Sequence, residues 1–342
     1  MLRASGFQAC PDWSALLNGA RAVQHEDDGY GDWTRGWQRE ASSHRDNEEQ
    51  RELLTDSTRP EAALLLSQSG VLASRTFTVI PSCADFIVPP AELRVLLLRR
   101  LRLPLPFAPH RCACGRPLDP LGDHRAACSR AGILGRRGAP LERATARVCR
   151  EAGARVSTNT FLRDLNTDVR VADDRRIEVV ANGLPIWSGA QLAVDATLVS
   201  PLDGQGRAHS RAWHTGGVVL DRARRRKERT YRELLRQGRA RLVVLALEVG
   251  GRWSEEARSF LRLLAQARAR SALDILRRGT QQAFLSRWSA LLSVAAQRAF
   301  ALSLLELPHT WAIADGEPPD LGNVLADARW EEAPLPSRMP LR

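Results

Sequence analysis

Arg176-Ile177-Glu178-Val179-Val180 and Ala193-Val194-Asp195-Ala196-Thr197 are two apolar, β-branched runs, each carrying one acidic residue. A carboxylate in such surroundings is what a buried strand presents when it delivers a charge to the edge of a cleft. Asn182-Gly183 and Pro185 lie between the runs and signal a turn, so the two read as neighbouring strands. Carboxylates on adjacent strands repel one another unless a cation sits between them, and a hard divalent ion such as Mg²⁺ is the usual answer. On spacing alone, two ordinary solvent-facing strand residues remain the more economical reading.

Charge sharpens the choice. The 342 residues carry a formal net charge of +11 and a pI of about 10.6, which suits a polyanionic partner. Lys227 is the sole lysine, and Arg207 to Arg241 holds twelve basic residues against Asp221, Glu228 and Glu233. Arg222, Arg224, Arg225, Arg226 and Arg229 fall on a basic helix predicted from Asp221 to Leu235, with Lys227 and Tyr231 at i, i+4 on one face. A solvated arginine face is the simpler account of that run. Hydrophobic residues make up 44% of the chain, which excludes a disordered polyelectrolyte. No uninterrupted apolar run reaches membrane-span length, and the first residues do not resemble a signal peptide, so no membrane partner is expected. The six cysteines form no secreted disulfide framework, which points to an intracellular, reducing setting.

Cys112-Ala113-Cys114-Gly115 … Gly122-Asp123-His124-Arg125-Ala126-Ala127-Cys128 gathers three thiols and one imidazole. Such a set supplies the four ligands of a tetrahedral, structural Zn²⁺, with Gly115 and Gly122 letting the backbone turn around the ion. His110 competes for a ligand position because the Cys-x-Cys start is tight, and free loop cysteines are the simpler alternative. Upstream, residues 1–60 are polar and dotted with Trp13, Trp33 and Trp37. They open without a capped helix, as expected of a piece of something longer. Helices are predicted from Glu61 to Gly70 and from Ala91 to Leu103, the second with its leucines inward and its arginines between them.

Downstream, a helix is expected from Pro140, and its Glu142 is a third acidic residue for the site unless it only serves the helix dipole. A first strand follows from Arg155, and Val171-Ala172-Asp173-Asp174 reads as a loop. Asp203 to Gly217 is a second loop, and Arg241 to Val249 is a buried central strand ending at Gly250-Gly251. Glu248, at its end, is a cleft residue or a cap. Ser254–Arg270 and Gln281–Leu307 are predicted amphipathic helices, the second with a core stripe of Leu285, Trp288, Leu292, Ala295, Ala299 and Leu302. Prolines at 308, 318, 319, 334, 336 and 340 predict a disordered tail over 308–342.

Cysteine cluster, helix, strands with Glu178 and Asp195, a Lys-x₃-Tyr helix and a strand ending Glu248-Val-Gly-Gly follow in one order. That order resembles the C-terminal part of non-LTR retrotransposon polyproteins, where a Cys/His zinc knuckle precedes a restriction-enzyme-like PD-(D/E)XK-type endonuclease. The resemblance spans roughly residues 110 to 307. It implies a helical region over 1–108 following a missing reverse transcriptase, a knuckle over 109–130 and a nuclease domain over 138–307. The implied fold is α/β (α+β), a mixed central sheet flanked by helices. Carried over by position, Glu178 stands for the PD aspartate, Asp195 for the second acidic residue, and Lys227 with Tyr231 for a displaced lysine and its tyrosine. Glu for Asp at 178, and Thr197 where the lysine usually stands, depart from the pattern. The implied protein is a nuclear enzyme nicking target DNA with Mg²⁺ held by Glu178 and Asp195. The alternative is a catalytically dead remnant that binds DNA or RNA.

Overall fold

Acidic and basic residues spaced i, i+4 along a polar segment stabilise a helix without a core, and α1 (Trp33–Asp56) is built that way, with Arg45–Glu49 at 2.8 Å and His44–Glu48 at 3.5 Å. The computed structural model describes residues 33–105, 111–112, 114–129, 132–165, 169–170, 172–236, 240–305, 322 and 324. Trp13, His110 and nearly all of the proline-rich tail lie outside them. The chain divides into two compact units, Met1–Thr58 and Arg59–Arg342.

The second unit opens with α2 (Arg59–Ser67), α3 (Arg75–Thr78) and α4 (Pro90–Arg100). Next come α5 (Asp123–Ala127), α6 (Ile133–Arg136) and α7 (Gly138–Glu151). Strands β1 (Arg155–Phe161), β2 (Arg176–Asn182) and β3 (Gln191–Val199) then run antiparallel to one another in sequence. Helices α8 (Val218–Thr230) and α9 (Arg232–Arg236) cross over to β4 (Ala240–Glu248), which lies parallel to β3. The sheet is therefore mixed, in the order β1-β2-β3-β4, and α10 (Glu255–Ala269) and α11 (Arg277–Leu305) complete the unit.

Side chains alternate across a strand, so a strand buried on both faces reads as a continuous apolar run. Val179, Val194, Val243 and Leu245 pack with Leu141 of α7, Phe260 of α10 and Trp288 of α11. Val180, Ala193, Leu242 and Val244 pack on the opposite face with Leu220 and Leu234 of the crossover helices. At roughly 1.5–3 kcal/mol per fully buried aliphatic side chain, these two layers dominate the stability of the unit. Val324 is buried in the first of them, so the segment after Pro308 carries a core position.

Two expectations about helix faces change. On α4, Arg99 is buried and pairs with Asp123 while donating to the Leu121 carbonyl (2.6 Å), whereas Leu97 and Leu101 face solvent. An arginine given a buried carboxylate is better placed inside than an unpaired leucine is outside. Helix α11 is enclosed on every side from Arg287 to Leu304 rather than along one stripe. Its alanines and serines let neighbours approach from all directions, and Arg287 and Arg298 are neutralised by Glu151 (3.0 Å) and Glu92 (2.8 Å). With the turn before it, this helix is long and apolar enough to cross a membrane, but 94% of its most apolar window is buried inside the fold. The glycine pair after β4 is required sterically. A Cβ on Gly250 would lie 2.5 Å from Ser67 Oγ, and Gly251 holds φ at +107°.

Candidate functional site

Cys112 and Cys114 sit on a tight loop closed by Cys112 N–H to the Arg116 carbonyl and Gly115 N–H to the Cys112 carbonyl, both 2.8 Å. Gly115 and Gly122 take positive φ, as the turns around a bound ion demand. Asp119 receives the N–H groups of Leu121, Asp123 and His124 (2.8–3.1 Å) and so caps the start of α5, which carries His124. The ligand atoms of Cys112, Cys114, His124 and Cys128 all lie within 4.8 Å of one another, with Cys114 Sγ 3.2 Å from His124 Nε2. His124 Nδ1 lies 2.6 Å from the Gly204 carbonyl. That contact fixes the ring and turns Nε2 toward the thiols, the arrangement that commonly supports a metal-binding histidine. The Arg116 N–H draws the Cys114 thiol down to about 6, and burial pushes Cys112 up to about 11. The cluster can hold a metal ion, and three thiolates with one imidazole are consistent with zinc. Ionic and polar contacts join it to the body. Asp123 pairs with Arg99 and Arg102, and Arg125 donates to the Leu304 carbonyl (2.8 Å).

The carboxylates occupy a fork in the sheet. The β1–β2 ladder skips one pair, Asn159 opposite Glu178, where Asn159 holds φ at +53°. On the other side, β2 and β3 are paired only as far as Val179–Val194, so Glu178 and Asp195 lie beside each other where the strands separate. The Ala196 N–H, freed by that separation, donates to Glu178 Oε2 at 2.7 Å. Lys227 from α8 lies 2.7 Å from Asp195 Oδ2 and 2.6 Å from Oδ1, and Asp195 is 1% exposed.

Helix α8 ends at Thr230, one residue short of Tyr231, which caps it before α9 begins; the helix expected through Leu235 is thus broken. The break turns the Tyr231 hydroxyl to donate to the Arg176 carbonyl (2.9 Å) and brings it within hydrogen-bonding reach of Asp195. Burial, then the neighbouring Asp195, pushes the Glu178 carboxyl up to about 8. Burial also raises Asp195 against the pull of Lys227. Glu142 of α7 is raised by burial and by Asp195, and raises Glu178 in turn, so all three acids share one field. They are less tightly drawn than the Cys/His cluster. Among the described residues only that cluster brings three or more potential ligand atoms within 4.8 Å of each other.

Glu248 does not join them. It is buried at the end of β4, takes hydrogen bonds from the Ser67 side chain and the Gly217 N–H, and is pushed by burial to about 7. Of the basic residues on α8, Arg224 is bound to Glu228 (2.8 Å) and Glu256, and Arg222 donates to the Ser210 carbonyl (2.8 Å). Arg225, Arg226 and Arg229 are exposed. Arg222, Arg225, Arg229 and Arg232 line a groove of about 610 Å³. Sequence reasoning missed Phe161, whose ring carries the guanidinium carbons of Arg163 at 4.1 Å and Arg176 at 3.9 Å. The alternation of Arg and aromatic at a strand end was its only signal. Set against known protein families and curated proteins, the sequence matches none, so the site is read from its own chemistry.

Proposed function

We propose that the chain is a retrotransposon-derived DNA endonuclease that nicks phosphodiester bonds with Mg²⁺, on a restriction-endonuclease-like domain over residues 138–307. The observation that carries the reading is the fork. Two carboxylates, the half-buried Glu178 and the buried Asp195, stand side by side with the only lysine of the chain against one of them. Oxygen donors whose carboxyls are raised by burial fit a hard divalent cation, whose charge would offset that burial. Such a cation, when bound there, would supply Lewis-acid charge at the scissile phosphate. Lys227 offers a further positive charge where the phosphate would gain negative charge, and Tyr231 orients Asp195. Glu142 adds to the acidic field, and the α8 arginines neutralise backbone phosphates. The order of elements, α7-β1-β2-β3-α8-β4 behind a Cys/His knuckle suited to Zn²⁺, supports the resemblance on which the retrotransposon origin and a nuclear location rest.

The rival reading, a remnant that binds DNA or RNA without cutting, has its own observation. Lys227 and the Ala196 N–H already give each of the two carboxylates a partner within the protein. Nicking of supercoiled plasmid separates the two. Asp195→Ala should abolish Mg²⁺- or Mn²⁺-dependent nicking with DNA affinity retained, and Lys227→Ala should slow it by about 10²-fold or more. If wild type, Asp195→Ala and Lys227→Ala all bind DNA and none nicks it, the remnant is the right description.

A further inference from the structure

Arg176 opens β2 opposite Phe161, its cross-strand partner at the end of β1, two residues before Glu178. Its guanidinium lies over the half-buried Phe161 ring at 3.9 Å, and Arg163 lies over the same ring at 4.1 Å. A guanidinium stacked on an aromatic face keeps its N–H edge turned outward, where it matches a phosphate in a bidentate fork. The stacking also removes rotamer freedom before a ligand arrives, which lowers the cost of binding.

The neighbouring Arg175 shows what a spent charge looks like. It pairs with Asp173 and Glu233 (3.0 Å) and reaches the Thr230 carbonyl. Arg176 is exposed, as is Arg163, which keeps an ion pair to Asp174 at 3.3 Å among its contacts. The position is also fixed relative to the cleft, because Tyr231 donates to the Arg176 carbonyl at the end of the helix that carries Lys227.

We propose that Arg176 and Arg163, braced on Phe161, form a second phosphate-binding surface for duplex DNA, continuing the α8 groove past Tyr231 onto the β1–β2 end of the sheet. The surface brings the sugar-phosphate backbone alongside Glu178 and so sets where the scissile bond lies. This inference rests on the DNA-binding part of the function proposed above, but its test does not depend on cleavage.

The measurement is the salt dependence of full-length protein binding to a short random-sequence DNA duplex, without added Mg²⁺. Arg176→Gln and Arg163→Gln should each lower the slope of log affinity against log salt by about 0.9, one phosphate contact apiece. Phe161→Leu keeps both charges, so the slope should hold while affinity falls several-fold. Arg262→Gln, on the exposed part of α10, should bind as wild type does. If Arg176→Gln and Phe161→Leu both bind like Arg262→Gln, the surface is wrong, whether or not wild type nicks DNA. If wild type does not nick yet Arg176→Gln lowers the slope, the nuclease reading falls and the surface stands. A wild-type protein that binds no duplex at low salt overturns both.

Discussion

The four residues of the Cys/His cluster come from 17 consecutive positions, Cys112 to Cys128, whereas Glu142, Glu178, Asp195 and Lys227 come from four elements spread over 86 residues. The Cys/His cluster is compact, with its potential ligand atoms within 4.8 Å of one another and its histidine held by Gly204. The carboxylate site sits at a break in the strand ladder and carries charge that burial opposes, with both Glu178 and Asp195 raised. A site that must stabilise a fold can be saturated within its own segment. A site that must act on another molecule has to leave charge incompletely compensated, and only distant elements packed together can hold it there.

The largest effect should come from breaking the compact member of the pair. If the knuckle is structural, Cys114→Ser releases about one equivalent of zinc and destabilises the Arg59–Arg342 unit by several kcal/mol. Structural zinc sites contribute folding free energy directly, about 10–16 kcal/mol in isolated fingers. The loss should spread to α4 and α11, because Asp123 and Arg125 tie the knuckle to Arg99 and the Leu304 carbonyl. Metal content by mass spectrometry and calorimetric unfolding test this. Metal-free protein fresh from reduced purification, with Cys114→Ser melting like wild type, would reduce the knuckle to a loop.

A smaller effect, of opposite sign, should come from the carboxylate site. A carboxyl raised in the folded state keeps a proton that the unfolded chain gives up, so the folded protein loses stability as pH rises between the two pKa values. For Glu178 that window runs from the ordinary 4.5 to about 8, and Asp195 is displaced in the same direction. Below the window both states are protonated and the penalty vanishes. Glu178→Gln should therefore unfold at higher denaturant than wild type at pH 8, with the advantage shrinking toward pH 5. Added Mg²⁺ should stabilise wild type at pH 8 and Glu178→Gln less. A Glu178→Gln advantage that does not change with pH would mean that the cleft is not strained by its charge.

The unequal legibility of the two sites follows from the same distinction. Ligands within one short segment are fixed by spacing, so Cys112, Cys114, His124 and Cys128 were readable as a set. Glu178 and Asp195 were readable as neighbours because Asn182-Gly183 announces the turn between their strands. The fork was not, since it arises where the β1–β2 ladder skips Asn159 and the β2–β3 ladder stops at Val179–Val194. Pairing across strands leaves no local pattern. Helix α11 was misread for a related reason: alanine and serine fit a buried or an exposed face equally, and only the layers around it decide. Arg99 turned inward because Asp123, 24 residues on, was there to receive it.

The smallest effect discriminates most finely, because it asks whether the cleft has an orienting shell like the Gly204 contact of the knuckle. Tyr231→Phe removes one hydroxyl that donates to the Arg176 carbonyl and lies within reach of Asp195. The lost hydrogen bond alone should cost about 1 kcal/mol at any pH. If the hydroxyl also supports the ionised Asp195, as its lowering influence on that acid indicates, its removal raises Asp195 further. The folded state then holds its proton to higher pH, so the variant should lose more stability at pH 8 than at pH 5. Urea unfolding of wild type and Tyr231→Phe at both pH values reads the difference directly. A larger loss at pH 8 assigns Tyr231 to the charge of the cleft. An equal loss at both values assigns it to the Arg176 carbonyl alone, a brace between helix and strand, and leaves Lys227 as the principal support that Asp195 receives from α8.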